Sequence, residues 1–172
     1  GDVQGRQMTG GFVGVIRSEA EMIVTMTNFI TISDCTNNGD VQGDEMTGGF
    51  VGVIQSFAEA GVIVSMTNLI NNGIINGYRT SGGLVGYIYR NKVIEMTMSN
   101  CTNNGKVTSS GSYGIGGLVG DAELNGEMNM KIHKCFNNGN VTTQSYRVGG
   151  FIGTIEQNTK MGIEIIDSAN NG

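Results

Sequence analysis

Apolar and polar residues alternate along one segment that recurs through the chain. Ile30 and Ile32 flank the polar Thr31, and the same arrangement follows four more times. The apolar pairs lie nine and seven residues before a recurring glycine and are Ile30 and Ile32, Val64 and Met66, Met96 and Met98, Met130 and Ile132, and Ile163 and Ile165. A period of two is typical of a β-strand with one buried face, whereas an amphipathic helix would show a period near 3.6. The pattern therefore predicts strands.

Two further strands are predicted in each repeat. A β-branched residue that favours strands lies two positions after each recurring glycine, namely Val3, Val41, Ile75, Val107 and Val141. A third apolar segment begins at a Gly-Gly pair and continues with two apolar residues and another glycine, as in Gly10-Gly11-Phe12-Val13-Gly14. Each repeat is therefore expected to supply three short strands.

The recurring glycine ends an Asn-Asn-Gly triplet at positions 39, 73, 105, 139 and 172, and Gly1 lies at the same phase. The spacings divide the chain into five repeats, at 1–38, 39–72, 73–104, 105–138 and 139–172. Repeats of this length that cannot bury their apolar residues alone are typical of stacked architectures. We predict a single all-β domain, a parallel β-solenoid of five coils. Right-handed coiling is expected because parallel crossovers prefer that hand.

The Asn-Asn-Gly triplet is expected to form both a turn and a ladder. Asparagine and glycine tolerate a left-handed backbone, and stacked identical asparagines can bond along the axis of a parallel stack. One asparagine of each pair is predicted to be a buried ladder member and the other a turn residue, without the sequence deciding which. The candidates are Asn37, Asn38, Asn71, Asn72, Asn103, Asn104, Asn137, Asn138, Asn170 and Asn171.

Composition supports a continuous stack of strands. Glycine supplies 29 of 172 residues and proline none, as expected where every strand donates backbone N–H groups to a neighbour. The formal net charge of −5 argues against a nucleic-acid partner, which would require a basic surface. No apolar run is long enough for a transmembrane helix. A surface rich in uncharged polar residues favours an extracellular or cell-surface location.

The glycine motifs resemble those of the GLUG-motif repeat family, named for Gly-Leu-hydrophobic-Gly. Two copies match it directly, Gly83-Leu84-Val85-Gly86 and Gly117-Leu118-Val119-Gly120, while three copies have Phe in place of Leu. The asparagine-rich stretch from Ser99 to Gly105 also resembles these arrays. The resemblance covers all five repeats and implies β-solenoid stalks in surface or secreted proteins, including adhesins and some secreted peptidases. It brings no catalytic residue with it.

The residues capable of chemistry do not form a recognisable catalytic set. Cys35, Cys101 and Cys135 share one position in the repeat and are predicted to be free, mostly buried thiols. The chain has one histidine and no Cys-x-x-Cys motif, so we predict no enzyme activity, metal or cofactor. Asn100 and Asn140 begin glycosylation sequons and are candidate modification sites if the protein is secreted from a eukaryotic cell.

One apolar column has two open interpretations. By strict alternation, the column points outward and would form an exposed stripe for a lateral contact. A kink at the neighbouring glycines would instead turn it inward. Its members are Val13, Val51, Val85, Val119 and Ile152.

The phase of the repeats suggests a function. The chain spans an integral number of coils and shows no capping segment, and uncapped solenoid ends favour association. The leading hypothesis is an extracellular structural protein that binds copies of itself end to end as a filament or stalk. The alternatives are a fragment of a surface adhesin that binds a glycan or another cell-surface ligand, and an accessory repeat region of a secreted enzyme.

Overall fold

A computed structural model describes residues 1–18, 28–57, 61–90, 93–111, 113–144, 147–157 and 160–172. These residues form short strands that pair in parallel, and the described part of the chain contains no helix. The strands build five sheets, and each sheet takes one strand from every sequence repeat. The protein is an all-β parallel β-solenoid.

The sheets are numbered in the order in which each repeat enters them. Sheet 1 contains β1 (Val3–Gly5), β6 (Val41–Gly43), β11 (Ile75–Gly77), β16 (Val107–Ser109) and β21 (Val141–Thr143). Sheet 2 contains β2 (Met8–Gly10), β7 (Met46–Gly48), β12 (Thr80–Gly82), β17 (Ile115–Gly116) and β22 (Val148–Gly149). Sheet 3 contains β3 (Val13–Ser18), β8 (Val51–Ser56), β13 (Val85–Arg90), β18 (Val119–Leu124) and β23 (Ile152–Gln157).

The remaining two sheets complete the cross-section. Sheet 4 contains β4 (Asn28–Ser33), β9 (Val62–Thr67), β14 (Ile94–Ser99), β19 (Met128–His133) and β24 (Met161–Ile166). Sheet 5 contains β5 (Thr36–Asn37), β10 (Ile70–Asn71), β15 (Thr102–Asn103), β20 (Phe136–Asn137) and β25 (Ala169–Asn170).

The prediction of three strands per repeat is wrong, because the described part of each repeat supplies five. The additional strands are those of sheets 2 and 5, which are only two or three residues long. Segments this short cannot show an alternating pattern. They pair because the stack places each one beside its equivalent in the next repeat, as Thr47 beside Thr9 and Ser81.

Sheet 4 confirms the period-two pattern. In β14, Ile94, Met96 and Met98 are buried, while Glu95 and Thr97 are exposed. The strands stack in register, so each buried side chain lies between its equivalents in the neighbouring repeats. Apolar residues therefore cover one another along the axis as well as across the interior, which buries more surface than one coil can bury alone.

Among the described residues, the interior contains two apolar clusters. The larger cluster packs sheets 3 and 4 against each other and includes Phe50, Leu84, Met98 and Leu118. A smaller cluster lies between sheets 1 and 2 and contains Val41, Ile75, Val107 and Ile115.

The expectation of an exposed lateral stripe is wrong. Val51, Val85 and Val119 are fully buried in the larger cluster, and Val13 and Ile152 pack against it at the two ends. The cause is a bend at the start of each sheet 3 strand. The backbone N–H groups of Phe50 and Val51 both donate to the carbonyl of Leu84, at 3.0 Å each. Two consecutive side chains therefore face the core, and the kink at the glycines is the correct interpretation.

Candidate functional site

The first asparagine of each Asn-Asn-Gly triplet forms a continuous hydrogen-bonded ladder. Nδ2 of Asn71 donates to Oδ1 of Asn103 at 2.7 Å, and Nδ2 of Asn103 donates to Oδ1 of Asn137 at 2.8 Å. The second N–H of the Asn103 amide donates to the carbonyl of Gly105 at 2.9 Å. The full ladder runs through Asn37, Asn71, Asn103, Asn137 and Asn170. The predicted asparagine ladder is confirmed, and these are its inner members.

The second asparagine of each triplet is exposed and forms an outer ladder of opposite polarity. Nδ2 of Asn104 donates to Oδ1 of Asn72, and Nδ2 of Asn138 donates to Oδ1 of Asn104, both at 2.9 Å. The outer ladder runs through Asn38, Asn72, Asn104, Asn138 and Asn171. The inner ladder donates toward the later repeat and the outer ladder toward the earlier one. The asparagine predicted to be the turn residue therefore also belongs to a ladder.

The left-handed corner lies elsewhere than expected. Among the described residues, it falls five positions before each triplet glycine, with φ between 50° and 56°, at Asp34, Asn68, Asn100, Lys134 and Asp167.

The triplet glycines are required by close packing between repeats and not by a left-handed backbone. A Cβ atom on Gly105 would overlap the carbonyl oxygen of Gly73 in the preceding repeat. Glycine is needed there because successive backbones approach closely along the axis.

The three cysteines are free thiols in one column of the core. Cys101 and Cys135 are buried, while Cys35 is partly exposed at the end of the stack. Sγ of Cys101 donates to the carbonyl of Ser99 at 3.3 Å. The adjacent Cys135 thiol and burial raise the pKa of Cys101, so its nucleophilic thiolate form is disfavoured.

Both predicted sequons begin on the surface. Asn100 and Asn140 are exposed, and the hydroxyl-bearing partners Thr102 and Thr142 are half-buried and exposed, respectively. Asn100 is itself one of the left-handed corner residues. Both side chains are accessible to a modifying enzyme, and their glycosylation stays a prediction.

A polar groove of about 160 Å³ lies on the outer side of sheet 3. Sheet 3 contributes Tyr87, Asp121, Glu123 and Glu156. Sheet 2 and the residues just before its strands contribute Met46, Arg79, Thr80, Tyr113 and Arg147. The lining comes from repeats two to five, so the groove follows the axis of the solenoid.

Most charged groups of the groove have partners within it. The hydroxyl of Tyr87 donates to Oε2 of Glu123 at 2.5 Å, and Nη1 of Arg147 lies 2.5 Å from Oε1 of Glu156. Burial raises the pKa of Tyr87, and the hydrogen bond to Glu123 adds to the increase. Tyr87 is therefore a neutral donor to a carboxylate at neutral pH.

The rim of the groove carries an exposed aromatic ring. The guanidinium carbon of Arg79 lies 5.0 Å from the centre of the Tyr113 ring, a cation–π distance. Nη1 of Arg79 also lies 3.9 Å from Oε1 of Glu45. These contacts orient the arginine across one face of the ring.

Asp121 is the exceptional residue of the groove. Its side chain is only 5% exposed, and its Oδ1 is buried without a hydrogen-bond partner among the described residues. Burial raises the pKa of Asp121 to about 6, and the negative charge of Glu156 contributes to the increase. A backbone hydrogen bond from Ala122 and the positive charge of Arg147 act in the opposite direction. Burying an acceptor without a partner is costly, so the position of Oδ1 does not contribute to the stability of the fold.

We expect Asp121→Asn to stabilise the protein at neutral pH. The folded-state pKa of Asp121 lies above the ordinary value of 3.8, so the wild type loses stability as pH rises from about 4 to about 6. The two proteins should be equally stable at pH 3.5, and the variant should gain at most about 3 kcal/mol by pH 7. Urea unfolding across this pH range measures the difference. Asp44→Asn, at an exposed carboxylate, is the control, and a pH-independent difference for Asp121→Asn would contradict the account.

The sequence signal for the groove was a departure from the repeat pattern. Asp121 occupies a sheet 3 column whose other members are Val15, Val53, Tyr87 and Thr154. Val53 is fully buried in this column, so the fold accepts an apolar residue there. A single deviation in one repeat does not stand out in the sequence, and its position beside Arg79, Tyr113 and Glu123 is visible only in the folded protein.

No known protein family, characterised protein or solved structure matches this chain. The membership suggested by the Gly-Leu-Val-Gly motifs therefore stays a prediction. In the described ranges, no helix is long and apolar enough to cross a membrane. In the same part of the chain, no three His, Cys, Asp or Glu side chains are grouped in a way that would hold a metal ion.

Proposed function

We propose that this chain is an extracellular structural protein, related to GLUG-motif repeats, that stacks end to end into a filament or stalk. In this proposal the solenoid has five right-handed coils and no catalytic role. Two observations support it, the apolar side chains at the ends of the stack and the direction of the asparagine ladders.

The observation that carries the proposal is the exposure of core columns at the ends of the stack. Ile163 and Ile165 of β24 are 36% and 47% exposed, although their equivalents Met96 and Met98 are at most 1% exposed. At the opposite end, Phe12 is 50% exposed while Phe50 is fully buried beneath it. A coil stacked in register on either end would cover these side chains, with a gain proportional to the apolar area buried.

The ladders give the ends complementary hydrogen-bonding groups. Each inner asparagine up to Asn137 donates to the next repeat, which leaves Asn170 as the last donor and Asn37 as the first acceptor. A second copy in register would place Oδ1 of its Asn37 beside Nδ2 of Asn170. Such head-to-tail contacts are heterologous, so they extend into filaments when they do not close into a ring.

Replacing an end-face residue with lysine should abolish association. We expect the weight-average mass of the wild type, measured by light scattering, to rise with concentration. Ile165→Lys should stay monomeric because stacking would bury a charge without a partner. The variant should fold, since Ile165 is already about half exposed.

Thr97→Lys is the matched control. Thr97 is exposed on the side of sheet 4, in the same outward column as Lys131, so this substitution leaves the ends unchanged. It should associate like the wild type. A wild type that stays monomeric at the highest attainable concentration, or equal loss of association in both variants, would overturn the proposal.

A further inference from the structure

The side of the solenoid carries a site that end-to-end stacking does not use. The groove beside sheet 3 is lined by residues from repeats two to five and lies along the axis. Its floor contains Asp121, whose Oδ1 is buried and lacks a partner among the described residues. Its rim contains the Tyr113 ring, which is 43% exposed. A buried acceptor next to an accessible ring is the arrangement of a ligand site.

The charges of the groove select the class of ligand. Glu123 already accepts a hydrogen bond from Tyr87, and Glu156 already faces Arg147. The groove therefore has nearly balanced charge, with acceptors and donors close together. An anionic ligand would meet three carboxylates, whereas a cationic ligand could pair with Asp121 only by adding a positive charge beside the guanidinium groups of Arg79 and Arg147. A neutral ligand with several hydroxyl groups meets neither penalty.

We infer that the groove binds a neutral pyranose saccharide. A sugar hydroxyl in the groove donates to the carboxylate of Asp121, which lines it, and forms a charge-assisted hydrogen bond. The C–H face of a sugar ring packs on the exposed ring of Tyr113, which offers an apolar surface beside polar groups. The guanidinium group of Arg79 packs over the Tyr113 ring and also supplies donors to sugar oxygens. The axial course of the groove suits a linear oligosaccharide chain.

Comparison of Asp121 with the equivalent residues of the other repeats supports a role in binding. The equivalent position in repeat two is Val53, which is fully buried, so a carboxylate is not required by the fold. A buried acceptor that the architecture can replace with valine is retained at a cost in stability. Binding sites commonly depart from the local rules of a fold in this way.

The test is an NMR titration of the 172-residue chain with cellohexaose, maltohexaose and mannohexaose in solution. We expect at least one of the three to shift the amide resonances of Tyr87, Tyr113 and Asp121 in a saturable manner. A pull-down with an insoluble polysaccharide made of the same sugar then shows whether the protein also binds that sugar in a surface-bound polymer or only as a free oligosaccharide. Shifts produced by none of the three sugars, or confined to other faces, would overturn the inference.

Asp121→Val is the variant to test, because repeat two has a buried valine, Val53, at the equivalent position. It should weaken sugar binding at least about tenfold, since it removes the acceptor of a charge-assisted bond. Because the buried Oδ1 acceptor without a partner is also lost, the variant should be at least as stable as the wild type, so weaker binding is not a consequence of unfolding. Glu95→Gln, on the exposed side of sheet 4, is the control and should bind normally. Unchanged affinity in Asp121→Val, or tighter binding of the cation spermidine than of any sugar, would refute the site.

Discussion

Asn103→Leu is expected to lower the free energy of unfolding by about 3–9 kcal/mol, because it breaks the inner ladder at its centre. The substitution removes the partner of Asn71 on one side and of Asn137 on the other, and it also frees the carbonyl of Gly105. All of these groups are buried, so water cannot replace the lost amide. Each unsatisfied group costs about 1–3 kcal/mol. Urea unfolding followed by circular dichroism measures the loss.

The outer ladder supplies the control for this substitution. Asn104 is the next residue, makes the same kind of amide–amide hydrogen bonds, and is exposed. Asn104→Leu should cost less than about 1 kcal/mol, since water can satisfy the released groups. Equal losses in the two variants would show that burial of the inner ladder is not the source of its importance.

Gly105→Ala should lower stability by about 3 kcal/mol, at the upper end of the usual cost of overpacking. The added methyl group would overlap the carbonyl oxygen of Gly73 and lie 2.9 Å from Nδ2 of Asn71. Neither neighbour can move freely, because Gly105 N–H donates to the carbonyl of Asn71 at 3.2 Å and Asn71 belongs to the ladder. The two repeats must therefore separate locally to accept one carbon atom. Thermal unfolding measures the effect.

Gly162→Ala distinguishes close backbone approach from a general intolerance of side chains. Gly162 is exposed in β24, and a Cβ there would meet only the side-chain Oδ1 of Asn129 at 2.9 Å. That amide can rotate away, so the change should be within about 0.5 kcal/mol. A large loss in Gly162→Ala, or none in Gly105→Ala, would contradict the explanation.

The features that repeat were predictable from the sequence. The alternation around Met96 and Met98 recurs in every repeat, so it indicated both the strand and its buried face. The triplet around Asn103 recurs five times, which predicted a ladder. In-register stacking makes each repeated residue contact its own equivalents, so a pattern along the chain translates directly into contacts along the axis.

The features that were missed depend on backbone detail or on a single repeat. The bend that buries Val85 results from two N–H groups sharing one carbonyl, which alternation cannot reveal. The left-handed corner falls on Asn68 and Asn100 but also on Lys134, a residue with no turn preference. The groove depends on Asp121, which occurs once. Its significance emerges only from its burial and from its neighbours in the folded protein.

The most direct test of the central proposal is electron microscopy of the concentrated 172-residue chain, with the axial repeat measured from any fibres. The account predicts unbranched fibres with a rise of about 24 Å per subunit, which is five steps of about 4.8 Å. Ile165→Lys should form none. A monodisperse monomer, or fibres whose subunits associate side by side without this rise, would contradict end-to-end stacking.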